Sequence, residues 1–114
     1  MLTQALQFFT EPALAVTNCQ QALRPGGSLL LTAPAVGRLS LSAPHADLWR
    51  VTPAGLGHLL ASTWTGPVDV CGYGNLRARL AMLLGEAAEE LTADERDPID
   101  PSYPLVACAH ARTV

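Results

Sequence analysis

Four residues within one short segment carry the densest chemistry in this chain: His45, Asp47, Trp49 and Arg50. An imidazole two positions from a carboxylate can act as a general base with an orienting partner, or the two can serve as metal ligands. Two ligands are too few for a structural metal site, so no metal is expected. A segment held by its own hydrogen bonds is the plainer alternative. Trp49 offers an anchoring ring, expected in the core. Arg50 offers a planar cation that can grip a phosphate or carboxylate through two parallel hydrogen bonds. The same guanidinium can instead pair with Asp47 and brace the segment.

Tyr73 and Asn75 flank Gly74 where an alternating run gives way to a leucine-rich one. In open α/β sheets ligands gather outside the carboxyl ends of strands, which makes both residues substrate-side candidates. Asn75 is equally suited to cap a helix. His58, beside a leucine stripe, and His110, inside an apolar run, read as structural. Glu86, Glu89 and Glu90 read as a solvated helix face. No serine or cysteine nucleophile motif accompanies His45 and Asp47, so an independent hydrolase has little to stand on.

The elements around these residues follow from periodicity and punctuation. Met1 to Phe9 suggests the end of a strand leading into a loop. Thr10-Glu11-Pro12 suggests a helix start with Thr10 as cap, the helix running to about Leu23 with Val16, Cys19 and Leu23 on one face. Arg24-Pro25-Gly26-Gly27 ends it. Ser28 to Ala33 is an apolar run without alternation, which suits a strand buried on both faces. Residues 35 to 50 read as a long loop. Thr52-Pro53 opens a second helix with Leu56, Leu59 and Leu60 buried. Val68 to Tyr73 alternates like a strand. A third helix follows, with Leu76, Leu80, Leu83 and Leu84 as its apolar stripe. Thr92-Ala93-Asp94-Glu95 is a capping box. Leu105 to Ala111 is a third strand. This alternation implies an α/β layered fold, yet three strands make an incomplete sheet when one of them is apolar on both faces.

Composition bounds the rest. With 114 residues, 49% hydrophobic and 15% charged, the chain can form one small domain with a core of leucine, valine and alanine. Net charge is -3, and the seven basic residues, all arginine, are dispersed. That distribution lacks the basic stripe of a nucleic-acid binder. Three cysteines, Cys19, Cys71 and Cys108, form no CxxC pair and sit among apolar neighbours, so buried, reduced thiols and a cytoplasmic setting are expected. No secretory leader is evident, since Thr3, Gln4 and Gln7 interrupt the first residues. No apolar run approaches the ~20 residues that span a bilayer.

The stretch Ala22-Leu23-Arg24-Pro25-Gly26-Gly27-Ser28-Leu29-Leu30-Leu31-Thr32-Ala33-Pro34 resembles the LxPGGxLLLxxP segment of class I S-adenosylmethionine-dependent methyltransferases. In that family it joins the fourth helix to the fifth strand of a seven-stranded, Rossmann-like sheet. Leu2 to Gln7 looks like the segment following the fourth strand. His45-Ala46-Asp47-Leu48-Trp49-Arg50-Val51-Thr52-Pro53 is similar to the DxWRFT region of bacterial methyltransferases often found with glycan and polysaccharide biosynthesis. Tyr73-Gly74-Asn75, Ala87 to Thr92 and Tyr103 to Val106 look like the same subgroup, so the resemblance covers essentially the whole chain.

The resemblance implies a partial methyltransferase fold with three main strands, equivalent to the family's fifth, seventh and sixth, and flanking helices. It implies S-adenosylmethionine as cofactor and puts Gln4 where the loop after the fourth strand approaches the methyl donor, as a cofactor or substrate contact; a polar residue near a frayed terminus is the plainer alternative. The GxGxG loop and the acidic residue that hold this cofactor in the family have no counterpart among these residues. The expectation is therefore the substrate-side half of a methyltransferase, inactive until joined by a complementary half. The competing expectation is a non-catalytic interaction module that pairs with another chain, or with itself, through an open sheet edge.

Overall fold

A computed structural model describes Met1–Val114. The chain is mixed α/β. A four-stranded open sheet is built from β1 (Leu2–Thr3), β2 (Ser28–Pro34), β3 (Val68–Tyr73) and β4 (Val106–Arg112), in the spatial order β1-β2-β4-β3. Strand β1 runs parallel to β2, and β4 runs antiparallel to both of its neighbours. Four helices accompany the sheet: α1 (Pro12–Gln21), α2 (Pro53–Thr63), α3 (Leu76–Leu84) and α4 (Ala93–Arg96).

Local chemistry accounts for most helix ends. Pro12 and Pro53 occupy first-turn positions, where a missing N–H costs nothing. The Thr52 hydroxyl accepts from Gly55 N at 3.0 Å. Helix α1 begins differently from expectation: Glu11 takes the cap position, and Thr10 makes no capping bond. The Thr92–Glu95 capping box forms in both directions, with Thr92 N donating to Glu95 at 2.9 Å and Glu95 N to Thr92 at 3.3 Å.

One face of the sheet carries the core. Leu29, Leu31 and Ala33 of β2 and Ala107, Ala109 and Ala111 of β4 pack against Val16 of α1, Leu56 and Leu60 of α2, and Trp64. The small alanines of β4 let α2 approach the sheet closely. Cys19 and Leu23 lie partly buried against this core, as their spacing with Val16 predicts.

Several expectations need correction. Strand β2 is buried on one face only, since Leu30 is 50% exposed and burial alternates along it. The strand end expected within Met1–Phe9 is present as a fourth strand, two residues long and paired only at Leu2–Leu31 and Thr3–Thr32. The stripe of α3 points to solvent: Leu76, Leu80, Leu83 and Leu84 are all exposed, while Ala81 is the buried residue. Helix α3 packs against α4 rather than over the sheet. None of the cysteines is fully buried, and Cys71 is exposed. Trp49 is 43% exposed, and the buried tryptophan is Trp64, whose indole donates to Arg112 O at 3.1 Å.

The molecule has extents of 42 × 32 × 21 Å and a radius of gyration of 15.0 Å. A sphere-like chain of this length would measure about 13 Å. No helix is long and apolar enough to cross a membrane.

Candidate functional site

The carboxyl ends of β1, β2 and β3 lie along one edge of the sheet, and the candidate residues distribute around it. At the end of β1, Gln4 adopts a left-handed conformation with φ 50°, a backbone state that costs about 1–3 kcal/mol outside glycine. Its backbone N–H donates to Thr32 O at 3.0 Å, and its side-chain amide donates to the Thr32 hydroxyl at 3.3 Å. Gln7 follows in the short 3-10 turn Leu6–Phe8 and donates to Gln4 O at 3.0 Å. Gln7 is buried, and its side-chain carbonyl has no hydrogen-bond partner in the chain. Sequence reasoning passed over Gln7, because a glutamine between apolar residues gives no sign of burial.

After β2, residues 35–51 fold back across this edge. Leu48 N donates to Gln7 O at 2.8 Å, the Trp49 indole donates to Phe9 O at 2.8 Å, and Val51 N donates to Pro34 O at 2.9 Å. Inside the loop, Arg50 grips Asp47 with two bonds, Nη1 to Oδ1 at 2.6 Å and Nη2 to Oδ2 at 3.1 Å. Its remaining donors reach Trp49 O at 2.8 Å, Arg38 O at 2.9 Å and Gly37 O at 3.4 Å. A guanidinium has five N–H donors, and all are engaged within the loop. Ser40 N adds a 2.8 Å bond to Asp47 Oδ2.

The Asp47 carboxyl is held below its ordinary range chiefly by the hydrogen bond from Arg50, against an opposing effect of burial. His45 lies on the turn Pro44–Ala46 and is exposed, while both Asp47 oxygens face Arg50 and Ser40. The structure therefore does not join His45 and Asp47 into an acid–base pair. Arg50 has no donor left for an incoming anion. No group of three or more His, Cys, Asp or Glu side chains is arranged to hold a metal ion.

After β3, Gly74 turns the chain at φ 124°. A Cβ there would lie 2.6 Å from Leu105 Cβ, so only glycine permits this approach. Asn75 caps α3, its Oδ1 accepting from Ala78 N at 2.9 Å, and its amide donates to Pro98 O at 2.8 Å and Glu95 O at 3.1 Å. Asn75 is buried and ties α3 to α4, so its side chain faces its own scaffold rather than an opening.

Tyr73 is half-exposed and borders a cleft of about 440 Å³ whose walls include Ala78, Met82, Leu91 and Leu105. The charged residues at its rim are already paired, Glu86 with Arg77 at 2.8 Å and Arg96 with Asp97 at 2.6 Å. The cleft suits an apolar or aromatic group. Its aliphatic walls come from α3 and the segment before β4, which no short sequence motif connects.

These residues do not by themselves fit S-adenosylmethionine. The residues immediately after β1, β2 and β3 are Gln4, Ala35 and Gly74, none of them acidic. The double glycine Gly26-Gly27 lies at the opposite end of β2, where Gly27 O accepts from Thr113 N at 2.9 Å. A turn consumed by its own chain at the amino end of a strand cannot cradle a ligand at the carboxyl edge. No protein-family model, curated protein or solved structure matches this chain.

Proposed function

We propose that this chain forms the substrate-side half of a class I S-adenosylmethionine-dependent methyltransferase, whose donor pocket is completed by a half lying outside these 114 residues. The observation that carries the reading is the strand order. The last strand in sequence, β4, slots antiparallel between β2 and β3, while β1 lies parallel beside β2. The resemblance implies the order of three of these strands, with β2, β4 and β3 as the family's fifth, seventh and sixth. Strand β1 then stands where the fourth strand ends.

On this reading the braced loop 35–51 and the cleft beside Tyr73 form the acceptor side of the site. Gln4 and Gln7 sit at the seam with the donor half. The complementary half would supply the methyl donor, and this chain's own contribution would be to hold the acceptor in a fixed geometry. Arg50 acts by shaping the loop rather than by touching the acceptor.

The test is complementation. The chain alone is expected to bind S-adenosylmethionine no tighter than about millimolar, a free energy of about -4 kcal/mol. Co-expression with a GxGxG-containing upstream half should give a complex that binds micromolar cofactor by calorimetry. Tight binding by the chain alone, or failure of any such half to associate, overturns the proposal. A second reading, a non-catalytic module that pairs with another chain, draws on the uncovered sheet face around Leu30 and the exposed leucines of α3. Association with a partner that lacks a cofactor pocket would favour it.

A further inference from the structure

The uncovered face of the sheet holds two thiols that methyl transfer does not use. Cys71 of β3 and Cys108 of β4 are direct partners in the antiparallel register. Opposed residues in such a ladder have Cα atoms about 4.5–5.5 Å apart, inside the roughly 4.4–6.8 Å range that a disulfide bridges. Along β3 and β4 the alternate residues Val70, Ala107 and Ala109 face the helices, so both thiols leave the sheet on the open side. Cys71 is exposed, Cys108 is half-buried, and both are free thiols. Cys19 lies on α1 against the core, behind the sheet.

Neighbouring groups register this proximity. The neighbouring Cys71 raises the Tyr73 phenol above its ordinary value, and the Cys108 thiol is raised first by burial and then by Cys71. Cys71, the more accessible of the two thiols, makes the first attack.

We propose that Cys71 and Cys108 form a reversible dithiol–disulfide site, oxidised by small disulfides of the glutathione class. The Cys71 thiolate attacks one sulfur of the small disulfide, whose S–S bond breaks. A mixed disulfide forms on Cys71, and one small thiol leaves with the proton that Cys71 gave up. Cys108, deprotonated in turn, attacks the Cys71 sulfur from across the ladder and expels the second small thiol, which takes that proton. Two electrons pass from the protein pair to the small disulfide, which ends as two thiols. The bond ties β3 to β4 and closes the loop that contains α3, α4 and the apolar cleft. Exposed disulfides of this kind are readily reduced, so excess small thiol reverses the step. The site is independent of the methyltransferase reading.

The experiment treats the purified full chain with excess oxidised glutathione and reads intact mass, peptide maps and free thiols. The expected product has lost two hydrogens, yields one cross-linked peptide joining the Cys71 and Cys108 segments, and retains one titratable thiol, Cys19. Dithiothreitol should restore all three thiols. Cys19→Ser should form the same bridge, with no free thiol remaining, whereas Cys71→Ser and Cys108→Ser should never lose the two hydrogens. Circular dichroism before and after treatment should match, which separates the reaction from unfolding. A chain that keeps all three thiols, stops at a glutathione adduct on Cys71, or links Cys19 to either cysteine overturns the proposal.

Discussion

Asp47 and Arg50 show how a loop residue can be fixed without touching a ligand. The carboxyl of Asp47 is depressed by its hydrogen bond with Arg50, so its folded-state value lies below the unfolded one of about 3.9. The contribution of the pair is therefore complete above that unfolded value and is lost as pH falls through the depressed folded value. The Trp49 indole N–H resonance, pinned to Phe9 O, should hold its position from neutral pH down to about pH 4 and move only in stronger acid. Asp47→Asn should give the acid spectrum at neutral pH. Asn75 supports a second prediction. Asn75→Asp keeps the acceptor for Ala78 N but loses the donor to Pro98 O and Glu95 O. It should loosen α4 in hydrogen exchange while α3 stays intact. Asn75→Ala should lose both and cost about 1–3 kcal/mol in denaturant unfolding. At Gly74, alanine would collide with Leu105, and a drop of about 1–3 kcal/mol is expected by the same assay.

Elements were legible in the sequence where their ends depend on local side chains. The starts of α2, α3 and α4 follow from Thr52-Pro53, Asn75 and the Thr92–Glu95 box, each a bond within three residues in sequence. Burial was less legible because it depends on what lies across from an element. The leucine triplet of β2 hides an alternating pattern, and the leucines of α3 form a regular stripe with no sheet beneath it. Strand β1 is legible as a strand end, but two residues are too few for periodicity to fix its bounds or its partner. At the site, the Asp47–Arg50 brace is legible because the two residues lie three apart, whereas the orphaned Gln7 carbonyl and the facing cysteines arise from contacts between distant segments. Helix α2 supplies the element-scale prediction. Leu56 and Leu60 are fully buried under the sheet, so alanine at either should cost about 2–5 kcal/mol. Against a total near 5–15 kcal/mol for such domains, the double variant should be unfolded at 37 °C by circular dichroism. Leu83→Ala on α3 should change stability by no more than about 0.5 kcal/mol, because that side chain already faces water.

At the scale of the whole molecule, the sheet closes in an order that differs from the order of synthesis. The segment 106–112 lies between two strands that precede it by some 40 and 80 residues in sequence, and it bonds to both along its whole length. Until it arrives, β2 and β3 have no ladder between them, and the alanine surface that receives α2 does not exist. On a ribosome, the helices can form as they emerge, but the domain stays uncommitted until residues 106–112 leave the exit tunnel. A nascent chain stalled before Val106 should be digested by protease along its entire length, whereas one released after Thr113 should resist. A frameshift ahead of Val106 would therefore leave everything translated before it without a sheet to pack on.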